Sequence, residues 1–133
     1  MAFVLDASVT ACWALHDEKH ADADRAFLRI RTEEAVVPSL WWFEVRNILV
    51  VNERRGRISL PDSTAFLLHL SKLPVRLDRL PDEDSVLRLA RTHRLSVYDA
   101  AYLELAHREN LAIATLDADL RKAAARERVT LIS

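Results

Sequence analysis

Glycine occurs once in the 133 residues, at Gly56. A loop that wraps a phosphate in consecutive backbone N–H groups needs several glycines, so the P-loop and the dinucleotide-binding fingerprint are both excluded. Cysteine also occurs once, at Cys12. One thiol builds neither an internal disulfide nor a thiolate metal cluster, which points to a reducing, cytoplasmic setting with Cys12 as a buried, inert side chain. Long hydrophobic runs are missing too. None reaches membrane-spanning length, and the opening MAFVLDASV lacks the charged stretch and long apolar run of a secretory leader, so no membrane association is expected. Neither sign of charge is in excess: 19 Lys+Arg stand against 20 Asp+Glu, a net charge of −1, and no global basic field announces nucleic acid. Lysine is confined to Lys19, Lys72 and Lys122, the other 16 of these cations being arginine. Arginine suits bidentate phosphate contacts, although a plain compositional bias explains the ratio at least as well.

The chain holds no repeats, low-complexity stretches or linkers. Half of its residues are hydrophobic, so 1–133 reads as a single domain with a sizeable core. Short apolar runs alternate with longer helical patterns. AFVLD (Ala2 to Asp6) is a continuous apolar run closed by an acid, as in a buried parallel strand. AVVP (35–38), VRLD (75–78), LAIAT (111–115) and VTLIS (129–133) are further strand candidates. Helical patterns cover Ser8 to Leu15 with Ser8 as cap, Ala21 to Arg31, and Leu40 to Arg55, which stops at Gly56. Others run from Pro61 to Leu70, Glu83 to Arg94, Val97 to Glu109 and Asp117 to Arg126; proline is favoured at such starts. This alternation predicts an α/β fold, a mostly parallel sheet with helices on both faces, and ligands at the carboxyl ends of the strands.

One stretch, SVYDAAYLELA (96–106), poses a chemical problem. As a helix it puts Asp99, Leu103 and Ala106 on one face, with Tyr98, Tyr102 and Leu105 on the neighbouring stripe and Glu104 and Arg108 toward the other side. Asp99 thus heads a face made for burial, where a carboxylate has to be paired, protonated or bound to a cation. Three other acids are placed alike. Asp6 closes the first strand, Asp117 follows the fourth, and Glu44 lies early in the helix after the second. Chain alternation and connection handedness allow all four to approach one edge of the sheet. Each also has a bland explanation: Asp6 and Asp117 as helix caps, Glu44 paired with Arg46, and Asp99 complementing a helix N-terminus. If the four converge, the only donors on offer are oxygens, from the acids and from the hydroxyls of Ser8 and Thr115. Such a set selects Mg²⁺ or Mn²⁺ over Zn²⁺ and is apparatus for attacking phosphates.

Other motifs are weaker. HDEKH (16–20) imitates a zinc helix, but its Glu is at the wrong offset and no third ligand is evident, so it reads as a solvated loop. WWF (41–43) offers a base-stacking platform, yet three successive aromatics cannot share one helix face, so at least one belongs to the core and another suits an interface. ERRGR (53–57) and RTHRL (91–95) are basic patches, read equally well as phosphate contacts or as solvated helix ends.

Taken with their order, VLDASV, PSLWWFEVRNIL with Glu44 and Asn47, SVYDAAYLELA and ATLDADL resemble the PIN-domain ribonucleases, and within them the VapC-type toxins of bacterial toxin–antitoxin pairs. The resemblance spans essentially the whole chain, and the YDAAY and T-x-D segments are its most specific part. It implies a three-layer α/β/α sandwich around a central, mostly parallel sheet. It implies that Asp6, Glu44, Asp99 and Asp117 form the catalytic acidic set, with Asp6, Asp99 and Asp117 holding Mg²⁺ or Mn²⁺. Ser8 and Thr115 would support them by hydrogen bonds, and Asp119 is a looser match as an extra acid. The implied activity is endonucleolytic cleavage of single-stranded RNA. The implied partners are the RNA, a cognate antitoxin protein that silences the enzyme in a hetero-oligomer, and a second copy in a homodimer.

Two rival readings use the same residues. A receiver-like α/β regulator also carries an acid after its first strand, but it needs a second acid there, a phosphoacceptor that only Asp78 imitates, and a lysine after the fifth strand that this chain lacks. A non-catalytic binding module would instead use the acids to hold a basic partner.

Overall fold

In the computed structural model, which describes residues 1–15 and 17–133, four strands and seven helices follow the expected alternation. The strands are β1 (Ala2–Leu5), β2 (Glu34–Val37), β3 (Val75–Leu77) and β4 (Ala112–Ala114). The helices are α1 (Ala7–Ala14), α2 (Ala21–Arg29), α3 (Leu40–Arg54), α4 (Leu60–Ser71), α5 (Glu83–His93), α6 (Val97–Glu109) and α7 (Ala118–Arg126). The sheet is entirely parallel among the described residues, with the order β3-β2-β1-β4. β1 is central, which is why Phe3, Val4 and Leu5 are fully buried and why its sequence does not alternate.

This order positions the pole at which the acids gather. The chain steps one way from β1 to β2 to β3 and then crosses back to β4. Right-handed crossovers therefore carry α1–α4 over one face and α5–α6 over the other. The reversal makes the carboxyl ends of β1 and β4 a topological switch point, where a crevice opens in a parallel sheet. Register does the rest. Leu5 pairs with Ala114, and the Asp6 N–H continues the ladder to the Ala114 carbonyl at 2.9 Å, so Asp6 comes level with Thr115.

Local signals explain most helix ends. Ser59, Asp82, Ser96 and Asp117 each accept a backbone N–H as N-caps of α4, α5, α6 and α7. Gly56 follows α3 with φ 71°, a left-handed turn that glycine adopts without strain. Ser8 is not a cap. The N-cap position of α1 belongs to Asp6, whose side chain makes no capping bond because it is engaged elsewhere. The fifth strand expected over 129–133 reduces to a single parallel bridge between Ile113 and Leu131. The chain turns out of α7 through Arg128 at φ 58° and meets β4 for only two bonds, Ile113 N–H to the Thr130 carbonyl and Ile132 N–H to the Ile113 carbonyl. In HDEKH, His16 lies outside the described residues. His20 is the N-cap of α2, its Nδ1 accepting the Asp22 N–H at 3.2 Å.

The helix α6 departs from the amphipathic pattern expected of it. Every residue from Ala100 to Ala106 is buried, because α6 packs against β1, β4, α5 and α7. Glu104 is therefore inside, 2% exposed, and accepts from Arg108 Nε at 2.9 Å. Tyr98, on the stripe it shares with the buried Tyr102 and Leu105, is 67% exposed. Cys12 is only partly buried. No helix among the described residues is long and apolar enough to cross a membrane.

Candidate active site

Asp6 is the deepest acid of the pole, 5% exposed. Its Oδ2 accepts two hydroxyl protons, from Ser8 Oγ at 2.6 Å and from Thr115 Oγ1 at 2.7 Å. Both hydroxyls are oriented from behind. Ser8 Oγ accepts the Leu116 N–H at 3.0 Å and Thr115 Oγ1 accepts the Asp117 N–H at 3.1 Å. A hydroxyl has one proton, so the β4–α7 loop turns each donor toward Asp6. The peptide of Asp6 is held as well: its carbonyl accepts from Thr10 Oγ1 at 3.2 Å, and Trp41 Nε1 donates to that hydroxyl at 3.0 Å. Trp41 is thus the core member of the aromatic triplet. Trp42 and Phe43 face out, 44% and 68% exposed, and Arg46 lies over the Trp42 ring at 4.1 Å, not against Glu44.

The other acids arrive from separate elements. Glu44, half-buried on α3, accepts from the Tyr102 hydroxyl on α6 at 2.6 Å. Asp99 stands in the first turn of α6, where Ser96 Oγ accepts its backbone N–H at 3.0 Å. Asp117 leads into α7, its Oδ2 accepting the Leu120 N–H at 2.8 Å. The capping explanation therefore holds for one oxygen of Asp117 and fails for Asp6. Asp119 lies exposed in the first turn of α7.

Electrostatics shows that these carboxylates share one neighbourhood. Burial pushes the Asp6 carboxyl up, the Ser8 and Thr115 hydroxyls pull it back, and the charge of Asp117 raises it further. Glu44 is raised first by burial and then by Asp6 and Asp99, against the Tyr102 bond. Asp99 is raised by burial, by Asp117 and Asp6, and by Asp119, with Ser96 opposing. Tyr102 is pushed far above its ordinary value by burial and by Asp6 and Glu44, so its hydroxyl remains a donor. Among the described residues none of Asp6, Glu44, Asp99, Asp117 and Asp119 forms an ion pair with Arg, Lys or His. Nor do three or more Asp, Glu, His or Cys side chains among them stand close enough to enclose a metal as they are. The pole is an acidic set around a gap, not a closed polyhedron.

The basic candidates fare differently. Arg57 of ERRGR is committed to Asp17, Glu18 and Asn52, so this patch is partly a clamp on the α1–α2 connection. His93 of RTHRL bonds Glu127 at 2.7 Å, while Arg91 and Arg94 are exposed. Asp78, the one imitation of a phosphoacceptor, is paired with Arg108, which removes the receiver reading. Sequence reasoning missed Thr10, Trp41 and the Tyr102–Glu44 bond. Only Thr10 had a local signal, its i+4 spacing from Asp6.

A parallel α/β domain with an acidic pole at its switch point is a recognisable class, and comparison with known proteins assigns it. The PIN domain profile matches residues 3–126, so the chain belongs to the PIN domain family. Within that family it stands with the VapC type. Ribonuclease VapC3 of Pyrobaculum aerophilum is 32% identical over 124 residues, 90% of this chain and 92% of that protein. The crystal structure of PAE2754 from the same organism has a TM-score of 0.71 at 26% identity, covering 92% of this chain and 87% of that one. FitAcB from Neisseria gonorrhoeae shares the fold, with a TM-score of 0.59, 17% identity and coverage of 100% and 97%.

Proposed function

We propose that this protein is a divalent-metal-dependent endoribonuclease, the toxin of a toxin–antitoxin pair, working as one domain in the cytoplasm. One observation carries the reading: the carboxylates that follow β1, stand on α3 and α6 and lead into α7 lie within reach of one another's charge at the strand switch point, around a gap, without a neutralising side chain among the described residues. Their donors are all oxygen, and burial first, then the fields of the neighbouring acids, holds Asp6, Glu44 and Asp99 above ordinary values. That is an environment short of positive charge, and hard divalent cations fit it.

In this reading Asp6, Asp99 and Asp117 hold Mg²⁺ or Mn²⁺, Glu44 completes the metal site directly or through water, and Asp119 adds negative field from the rim. The chemistry such an ion supplies when bound is activation of water and neutralisation of charge on the phosphate. The residues themselves provide placement. Ser8 and Thr115 fix the rotamer of Asp6. The Leu120 N–H occupies one oxygen of Asp117. The first turn of α6 presents Asp99 where the helix dipole favours an anion. Single-stranded RNA would lie across this pole.

The direct test is cleavage of a single-stranded RNA in Mn²⁺ by Asp99→Asn and Asp6→Ala. Both are expected to lose at least about a hundredfold, and full retention of cleavage by either, or cleavage undiminished in excess chelator, would sink the assignment. The same reading includes two protein partners. An apolar cleft of about 530 Å³ between α1, α2 and α4, where Trp13 meets Phe27 edge-on at 5.2 Å, suits an apolar segment of an antitoxin. The exposed Trp42 and Phe43 suit a second copy of this chain in a homodimer.

A further inference from the structure

We propose that Tyr102 is the positioning residue for Glu44, holding that carboxylate in the acidic set from a different helix. This rests on the metal-dependent reading above. Tyr102 is fully buried and among the largest side chains in the core. Phenylalanine would fill the same space, so packing alone does not ask for a hydroxyl, and a buried hydroxyl is costly unless it is bonded. The bond that its hydroxyl donates goes to Glu44 Oε1, at 2.6 Å across 58 positions of sequence.

The placement of the two residues gives this bond its consequence. Tyr102 lies three residues after Asp99 on α6, hence on the same side of the helix. The one helix therefore delivers one acid of the pole directly and fixes a second through its hydroxyl. Glu44 needs such a partner. It has three side-chain torsions, it is half-buried, and no arginine or lysine among the described residues pairs with it. Without the hydroxyl, repulsion from Asp6 and Asp99 would favour rotamers that swing its carboxylate out to solvent. With Oε1 committed to Tyr102, Oε2 is the oxygen without a bonded partner among the described residues. Asp6 is built alike, its Oδ2 pinned by two hydroxyls. Outer partners of this kind orient ligating carboxylates, and losing one typically weakens metal binding by about 10–100-fold.

The test measures Mn²⁺ affinity by titration calorimetry on the full chain, beside steady-state RNA cleavage. Tyr102→Phe keeps the ring and loses the bond. Glu44→Asp keeps the charge and withdraws it by one methylene, which breaks the same bond from the other side and leaves the core untouched. Each is expected to bind Mn²⁺ about tenfold more weakly and to lower kcat with KM for RNA unchanged. The double variant should be no weaker than either single one, because both remove one interaction. Additive losses, or Mn²⁺ affinity of the wild-type order in Tyr102→Phe, would overturn the positioning role. Should that occur while Asp99→Asn abolishes Mn²⁺ binding, the metal reading stands without it. If the wild-type chain binds no Mn²⁺ at all, the metal reading fails and the positioning role falls with it.

Discussion

At the scale of single residues, the pole works by directing protons. Thr115 donates to Asp6 and accepts from the Asp117 N–H, so one hydroxyl ties the carboxyl end of β1 to the start of α7. Thr115→Val keeps the shape and removes both bonds. It should lower stability by about 1–2 kcal/mol, since a buried N–H and a buried carboxylate each lose a partner, and cut RNA cleavage by about tenfold. Thr115→Ser should restore both, and a thermal melt run beside the cleavage assay reads the pair. A Val variant as active as wild type would show that Asp6 does not need this donor. Legibility at this scale was uneven for a physical reason. A carboxylate that ends an apolar run, as Asp6 does, contradicts its surroundings and is visible in a string of letters. The hydroxyl of Tyr102 contradicts nothing locally, and its partner stands 58 positions away.

At the scale of elements, the scarcity of glycine has a structural cost. Left-handed turns occur after α5, α6 and α7 at Arg94, Asn110 and Arg128, with φ of 53°, 54° and 58°, and only asparagine among these tolerates the conformation well. Arg94 and Arg128 are exposed and form no ion pair among the described residues. The left-handed region costs a residue with a Cβ about 1–2 kcal/mol, while glycine loses about 0.5–1 kcal/mol through unfolded-chain entropy. Arg94→Gly and Arg128→Gly should therefore each stabilise by about 0.5–1 kcal/mol, read as a higher urea midpoint at unchanged slope. A lower midpoint would mean that these arginines make contacts worth more than the strain. The strands and helix starts were legible because apolar runs and capping residues are local. The fifth strand was not, because VTLIS has the composition of a strand while the turn at Arg128 leaves it room for a single bridge. The burial of Glu104 escaped for a similar reason: its position follows from four elements closing around α6, which no periodicity in the helix itself encodes.

At the scale of the whole molecule, a net charge of −1 conceals a separation. The acids at the switch point are unpaired among the described residues, while Glu104 and Glu127 elsewhere are matched by Arg108 and by Arg88 and His93. Stability should therefore depend on pH against the common pattern. Asp6, Glu44 and Asp99 have folded-state values above their ordinary 3.8 or 4.5. Between the ordinary and the raised values the folded chain binds more protons than the unfolded one, so stability falls as pH rises through that window. Asp82 and Glu127 are shifted the other way, and their contribution is lost only as pH falls through values below their ordinary 3.8 and 4.5, outside the window. The melting temperature of the metal-free protein should accordingly fall as pH rises from the ordinary carboxylate range toward pH 8. Asp99→Asn should flatten that slope and raise the melting temperature at pH 8, by about 4 °C for each kcal/mol of repulsion relieved in a chain of this size. Mn²⁺ at a hundred times its Kd should add about 2.7 kcal/mol, and more of it is needed at pH 5.5 than at pH 8 because protons compete for the same oxygens. Scanning calorimetry with and without Mn²⁺ at both pH values separates these effects. A metal-free protein that is more stable at pH 8, with a slope that Asp99→Asn leaves unchanged, would mean that the acidic pole is not where this molecule holds its uncompensated charge.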